Sequence, residues 1–151
     1  MKKYGAFRAR QVTDAAKSDF TERKPTEVTE TSWIFASRKA YSNPKPTERS
    51  GKWLLFTPVE KIDETWAVIK AATEAGKLGP CSKVATMRPN PNAIDSRNRV
   101  ICIGTYDSED RADVNRVRQA LRELGFVEDL RYKTDEATME GRYGKTRTPS
   151  G

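Results

Sequence analysis

The sequence predicts an α/β or α+β domain in which two main helices back one face of a mixed β-sheet. Three observations carry this expectation. Two segments repeat apolar residues at helical spacing between start and stop signals. Five short runs have the length and the β-branched or aromatic content of strands. Their order is strand, strand, helix, strand, strand, helix, strand, with no internal repeat and no heptad seam.

The first strand is expected within "TSWIFASRKAY", and the Pro-rich "SNPKPTERSG" that follows reads as a loop. "KWLLF", Lys52 to Phe56, is an apolar run of strand length. A helix start is predicted immediately after it: Thr57 can cap, Pro58 suits the first helical position, and Glu60 occupies the capping-box position. Ile62, Trp66, Ile69 and Thr73 form the stripe of this helix and Gly76 is its natural stop. "CSKVATM" is the next strand and "RPNPNAIDSRN" a long turn. "RVICIGTY" is hydrophobic almost without interruption, as a central strand covered on both faces would be. Asp107 or Ser108 is expected to cap the second helix, with Val114, Val117, Leu121 and Leu124 facing inward and Gly125 ending it. "FVEDLRYK" carries the last strand.

Composition divides the chain of 151 residues into three parts. Residues 1–29 are polar and poor in aliphatics and read as an arm on which Tyr4, Phe7 and Phe20 could still dock. Residues 30–144 hold the single domain, and residues 145–151 form a basic tail. No apolar run is long enough for a membrane span, and the basic start has no apolar core of a secretory signal. Cys81 and Cys102 lack CxxC spacing and read as buried free thiols in a reducing cytoplasm. Histidine is absent. This excludes Ser-His and Cys-His nucleophile pairs and the commonest zinc ligand, and no metal site is expected. No phosphate-binding glycine loop or nucleophile elbow is present either.

A net charge of +7 suits a phosphorylated or polyanionic partner, although it also serves solubility. Lys52, Lys83 and Lys133 each fall inside a strand-like run. Alternation sets Lys52 opposite Trp53 and Lys83 opposite Val84 across the sheet. These lysines are either the solvent face of a one-sided sheet or a set that several strands aim into one phosphate-gripping face. Arg88, Arg97 and Arg99 bracket the Pro/Asn loop, while Arg142, Lys145 and Arg147 crowd the tail. Arginine forks suit phosphate oxygens. Trp53, Trp66 and Tyr132 read first as core; Trp33 and Tyr143 are freer to stack a base. Asp135 with Glu136, or Asp107 with Asp110, could serve as acid/base or cation ligands, although turns and caps would want them in any case.

Four blocks taken together, "SGKWLLF", "SKVAT", "VICIGTYD" and "LRYKTDEATMEGRYG", resemble the basophilic leukaemia-expressed protein family, a domain of unknown function. The resemblance spans roughly Trp33 to Gly144. It implies a curved sheet backed by helices, similar to the messenger-RNA cap-binding translation initiation factor. Such a fold would hold a nucleotide or RNA end with Trp33, Trp53 or Tyr143 stacking, and Lys52, Lys83, Arg88, Arg97, Lys133 and Arg142 on the phosphates. Some bacterial members carry a phosphothreonine lyase label. That label implies elimination of phosphate, with Lys83 or Lys133 as base, Arg88 or Arg142 as clamp and Tyr143 as proton donor in place of the histidine of known lyases. The preferred expectation is a soluble cytoplasmic domain that binds a phosphorylated small molecule, nucleotide or RNA without a cofactor. The lyase is the alternative, and a protein-interaction domain is a third class.

Overall fold

The computed structural model describes residues 20–39, 47–89 and 97–135. Five strands, β1 (Trp33–Ser37), β2 (Gly51–Pro58), β3 (Cys81–Ala85), β4 (Asn98–Thr105) and β5 (Arg131–Thr134), form one sheet in the order β1-β3-β4-β2-β5. Every described pairing is antiparallel, so the sheet is not mixed as expected. The class is α+β. Helices α1 (Val59–Glu74) and α2 (Arg111–Glu123) supply the second layer.

Register assigns each strand residue to one of two faces. Ile34, Ala36, Val84, Ile101, Ile103, Trp53, Leu55 and Tyr132 share one face and meet Ile62, Trp66 and Ile69 of α1 and Val114, Val117 and Leu121 of α2 in a single core. Each fully buried aliphatic side chain here contributes about 1.5–3 kcal/mol through apolar burial. Both helical stripes are as the spacing predicts, and Leu124 packs at the edge of the core. Gly76 (φ 83°) and Gly125 (φ 104°) follow the two helices in the left-handed conformation that ends them.

Both helix starts differ from the sequence reading. Thr57 and Pro58 remain in β2, paired with Arg99 and Asn98, and the Val59 amide donates to the Arg97 carbonyl at 2.9 Å. The strand ladder thus takes the residues expected to cap, and α1 begins without a side-chain cap. For α2 the cap is Asp110, which accepts from the Asp113 amide at 3.1 Å. Asp107 is engaged elsewhere: it accepts Arg49 through both oxygens, at 3.0 and 2.7 Å. The last strand is also shorter than "FVEDLRYK", because only Arg131–Thr134 finds a partner in β2.

Residues 20–29, grouped by composition with the arm, pack on this layer. Pro25–Glu27 is a 3₁₀ turn held by Asp63 of α1, which accepts the Thr26 amide at 3.0 Å and the Thr26 hydroxyl at 2.6 Å. Val28 is fully buried and Phe20 packs against the core.

β2 and β5 pair residue for residue: Gly51 with Thr134, Lys52 with Lys133, Trp53 with Tyr132. The Trp53 and Tyr132 rings meet edge to face with centroids 5.0 Å apart, a geometry that adds about 0.5–1.5 kcal/mol beyond area burial. Trp53 Nε1 donates to the Val114 carbonyl of α2 at 3.1 Å, and the Tyr132 hydroxyl shares a 2.6 Å hydrogen bond with Thr105. Tyr132 lies over Gly51, where a Cβ would stand 2.3 Å from the phenolic oxygen. Gly51→Ala is therefore expected to lower stability by about 1–3 kcal/mol through overpacking. Urea denaturation checks this, and an unchanged midpoint would show that Tyr132 can move aside.

Candidate functional site

The opposite sheet face carries Trp33, Phe35, Lys83, Cys102, Leu54, Phe56, Lys52, Arg131 and Lys133. Alternation puts them there as soon as the other face is committed to the helices. Along the strands they fall in rows. Trp33 and Phe56 stand in one row; Phe35, Lys83, Cys102, Leu54 and Arg131 in the next; Lys52 and Lys133 in a third. Phe56 is 56% exposed and Trp33 partly so, whereas Lys52 and Lys83 are each 7% exposed and Lys133 only 1%. Buried lysines on a sheet are costly, because the ammonium loses its hydration.

Each lysine has a different setting. Lys52 Nζ donates to Asp135 Oδ1 at 2.8 Å, and the Ser50 hydroxyl donates to the other carboxylate oxygen at 2.5 Å. Asp135 is itself tied to the start of β2, since its amide donates to the Ser50 carbonyl at 2.9 Å. Lys83 Nζ stands 4.2 Å from the centre of the Trp33 ring and 6.0 Å from that of Phe35, a cation–π setting. Lys133 is directly opposite Lys52, a placement that is unfavourable for like charges. Burial, then the Lys52 charge and Arg131, push the Lys133 amine down to about 8. Burial also lowers Lys83, with Lys52 adding to the effect, and burial raises the Cys102 thiol between them.

The expected site is therefore partly assembled. Lys52, Lys83, Lys133 and Trp33 share this face. Trp53 does not: it is in the core on the helix side, with its indole N–H committed to α2, and cannot stack a ligand here. Arg88 and Arg97 lie beyond the Trp33–Phe56 end of the sheet. Arg97 is seven β4 positions from the Lys52 row, about 23 Å at the rise of a strand. Arg88 donates to the Glu30 carbonyl at 2.8 Å, closing the loop before β1. Arg99 likewise serves the backbone, donating to the Thr86 and Asn98 carbonyls. Arg142, Tyr143 and the basic tail lie outside the described residues.

Asp135 was legible only as half of an acidic pair with Glu136, which also lies outside the described residues. Its partner is Lys52, 83 residues earlier, and no local spacing announces that pair. Ser50 was equally silent. Phe56 had a signal: in "KWLLF" alternation puts Lys52, Leu54 and Phe56 on one side.

"SGKW" and "YKTD" are thus the two halves of one ladder, with Ser50 and Asp135 closing its end. A family model described as basophilic leukemia-expressed protein Bles03 matches residues 45–139. The chain belongs to the Bles03 family. The matched span holds β2 to β5, and with them Ser50, Lys52, Lys83, Lys133 and Asp135; Trp33 lies upstream of it. No described helix is long and apolar enough to cross a membrane.

The environment of Lys133 fixes a pH dependence. Its folded value, about 8, lies below the ordinary lysine value of 10.5. Between these values the unfolded chain binds more protons, so stability rises with pH across the window. Below about 8 the charged amine is held in place at full cost. Lys133→Met should therefore be more stable than the native chain at pH 7, with the gap closing as pH rises to about 10.5. Urea midpoints at pH 7, 8, 9 and 10 test this; a gap that does not change with pH would locate the cost elsewhere.

Proposed function

We propose that the lysine-bearing sheet face binds a phosphorylated small ligand or nucleotide. The single observation behind this reading is that β2, β3 and β5 each aim a buried lysine at the same face, close enough for Lys52 to lower the proton affinity of both others. A sheet face that only needed solubility would keep its lysines in water, where they cost nothing. A phosphate dianion between them would receive charge-assisted hydrogen bonds and offset their mutual repulsion. Partly exposed Trp33 supports a ring-bearing ligand. It lies one row before Lys83 and two before Lys52 and Lys133, so a ring stacked on it would direct its phosphates along the strands toward the ammonium groups. A nucleotide held this way resembles what a cap-binding-like fold would do.

Phosphate elimination is the alternative, with its base drawn from Lys83 or Lys133 and Tyr143 as the expected proton donor.

Adenosine diphosphate and inorganic pyrophosphate are suitable probes, with Trp33 as a fluorescent reporter that Trp33→Phe should silence. Lys83→Met leaves the Lys52–Asp135 pair intact and should weaken binding ~10–100-fold, from the 1.5–3 kcal/mol of a charge-assisted hydrogen bond. Arg88→Ala and Arg97→Ala, at the far end of the sheet, should leave affinity unchanged, and added salt should weaken binding. Equal losses from all three variants, or no saturable binding of either probe, would refute the reading.

A further inference from the structure

The three lysines of this face are chemically unlike, and the difference goes beyond holding a phosphate. Lys52 is charge-paired with Asp135, whose second oxygen is occupied by Ser50. Lys83 lies over the Trp33 ring, whose electron-rich face favours the ammonium form. Lys133 is set directly opposite Lys52 across the β2–β5 ladder, with Arg131 two residues before it on the same face. Burial, and after it the cationic neighbours, favours the neutral amine, and a neutral amine is a nucleophile. Three equivalent phosphate ligands would not need three such different settings.

We propose that Lys133 is the nucleophilic amine of this site and forms an imine with a carbonyl group carried by the phosphorylated ligand. The inference rests on the binding reading above for its phosphate. In the reaction Lys133 Nζ attacks the carbonyl carbon, and the new C–N bond opens the C=O to a carbinolamine. Loss of one water, which carries away both amine hydrogens and the carbonyl oxygen, leaves C=N. No oxidant or reductant is consumed. Lys52 and Lys83 keep the ligand's phosphate in place, and Lys52 adds to burial in lowering the proton affinity of Lys133, which raises the share of unprotonated amine. The ligand class is thus a phosphorylated aldehyde or ketone. The pushed-down amine, about 8, agrees with this division of roles.

Pyridoxal 5′-phosphate is a probe that joins an aldehyde, an aromatic ring and a phosphate. The full chain is treated with it at pH 8, reduced with borohydride, and digested for peptide mass spectrometry. Lys133 should carry the label at a rate at least about tenfold above exposed Lys61 and Lys77, and labelling should decline as pH falls through the amine's own value. In Lys52→Met/Asp135→Asn, which removes both charges of the pair together, the midpoint of that pH profile should move upward. A purely structural Lys52 would not move it. Lys133→Arg, which keeps the charge, should abolish the selective label while its circular dichroism remains native.

Two controls separate this inference from the binding reading. Pyridoxine 5′-phosphate has no aldehyde and should protect Lys133 from labelling. Saturable binding of pyridoxine 5′-phosphate, read by Trp33 fluorescence, without any Lys133 adduct from the aldehyde would overturn the amine and leave binding standing. Equal labelling of Lys133 by unphosphorylated pyridoxal would keep the amine and overturn the phosphate site. Label spread over surface lysines in proportion to exposure overturns the proposal.

Discussion

The register of β2 against β5 is the constraint on which the rest of the molecule depends. Pairing Lys52 with Lys133 obliges Trp53 to pair with Tyr132 on the other face. The aromatic pair then lies against α2, and Tyr132 occupies the space that Gly51 leaves open. A slip of one residue would exchange the two faces, burying ammonium groups under the helices and turning the aromatic pair outward. Apolar burial on one side therefore holds the like-charged pair together on the other. The core supplies the energy that keeps the site in its unfavourable arrangement.

That arrangement is graded rather than uniform. Moving along the face, the rows go from half-exposed aromatics through Lys83 to the buried Lys52–Lys133 pair. Asp135 sits at the closed end, bound by Ser50, Lys52 and the ladder itself. One carboxylate placed beside one lysine of a pair breaks the equivalence of the two. Burial, and after it the Lys52 charge directly opposite, lowers the proton affinity of Lys133. The three lysines of one face thereby have different settings.

Much of the fold was legible because it follows local periodicity. The stripe Ile62–Trp66–Ile69–Thr73, the stops at Gly76 and Gly125, and the opposite facing of Lys52 and Trp53 all come from spacing and side-chain direction. Cap positions were not legible. Thr57 suits a cap by its chemistry, but the β2–β4 ladder gains more by running on through Thr57 and Pro58. Asp107 likewise has a cap's chemistry and is claimed by Arg49, 58 residues away in the chain. Competition between a local and a distant partner is decided by which is assembled, and sequence spacing carries no record of the distant one.

The sequence by itself determined one sheet with two helices, the order of elements, the inward helical stripes and the family, because periods of two and 3.6 and the "SGKW" and "YKTD" blocks are local signals; the antiparallel pairing that makes the class α+β came from the structure. Only the tertiary structure decided which basic residues lie together. It placed Arg88 and Arg97 at the far end of the sheet, committed Trp53 to the core, and joined Lys52 to Asp135 across 83 residues. The reason is physical: a charge interacts through space over a few ångströms, and strand pairing sets those distances without regard to separation along the chain.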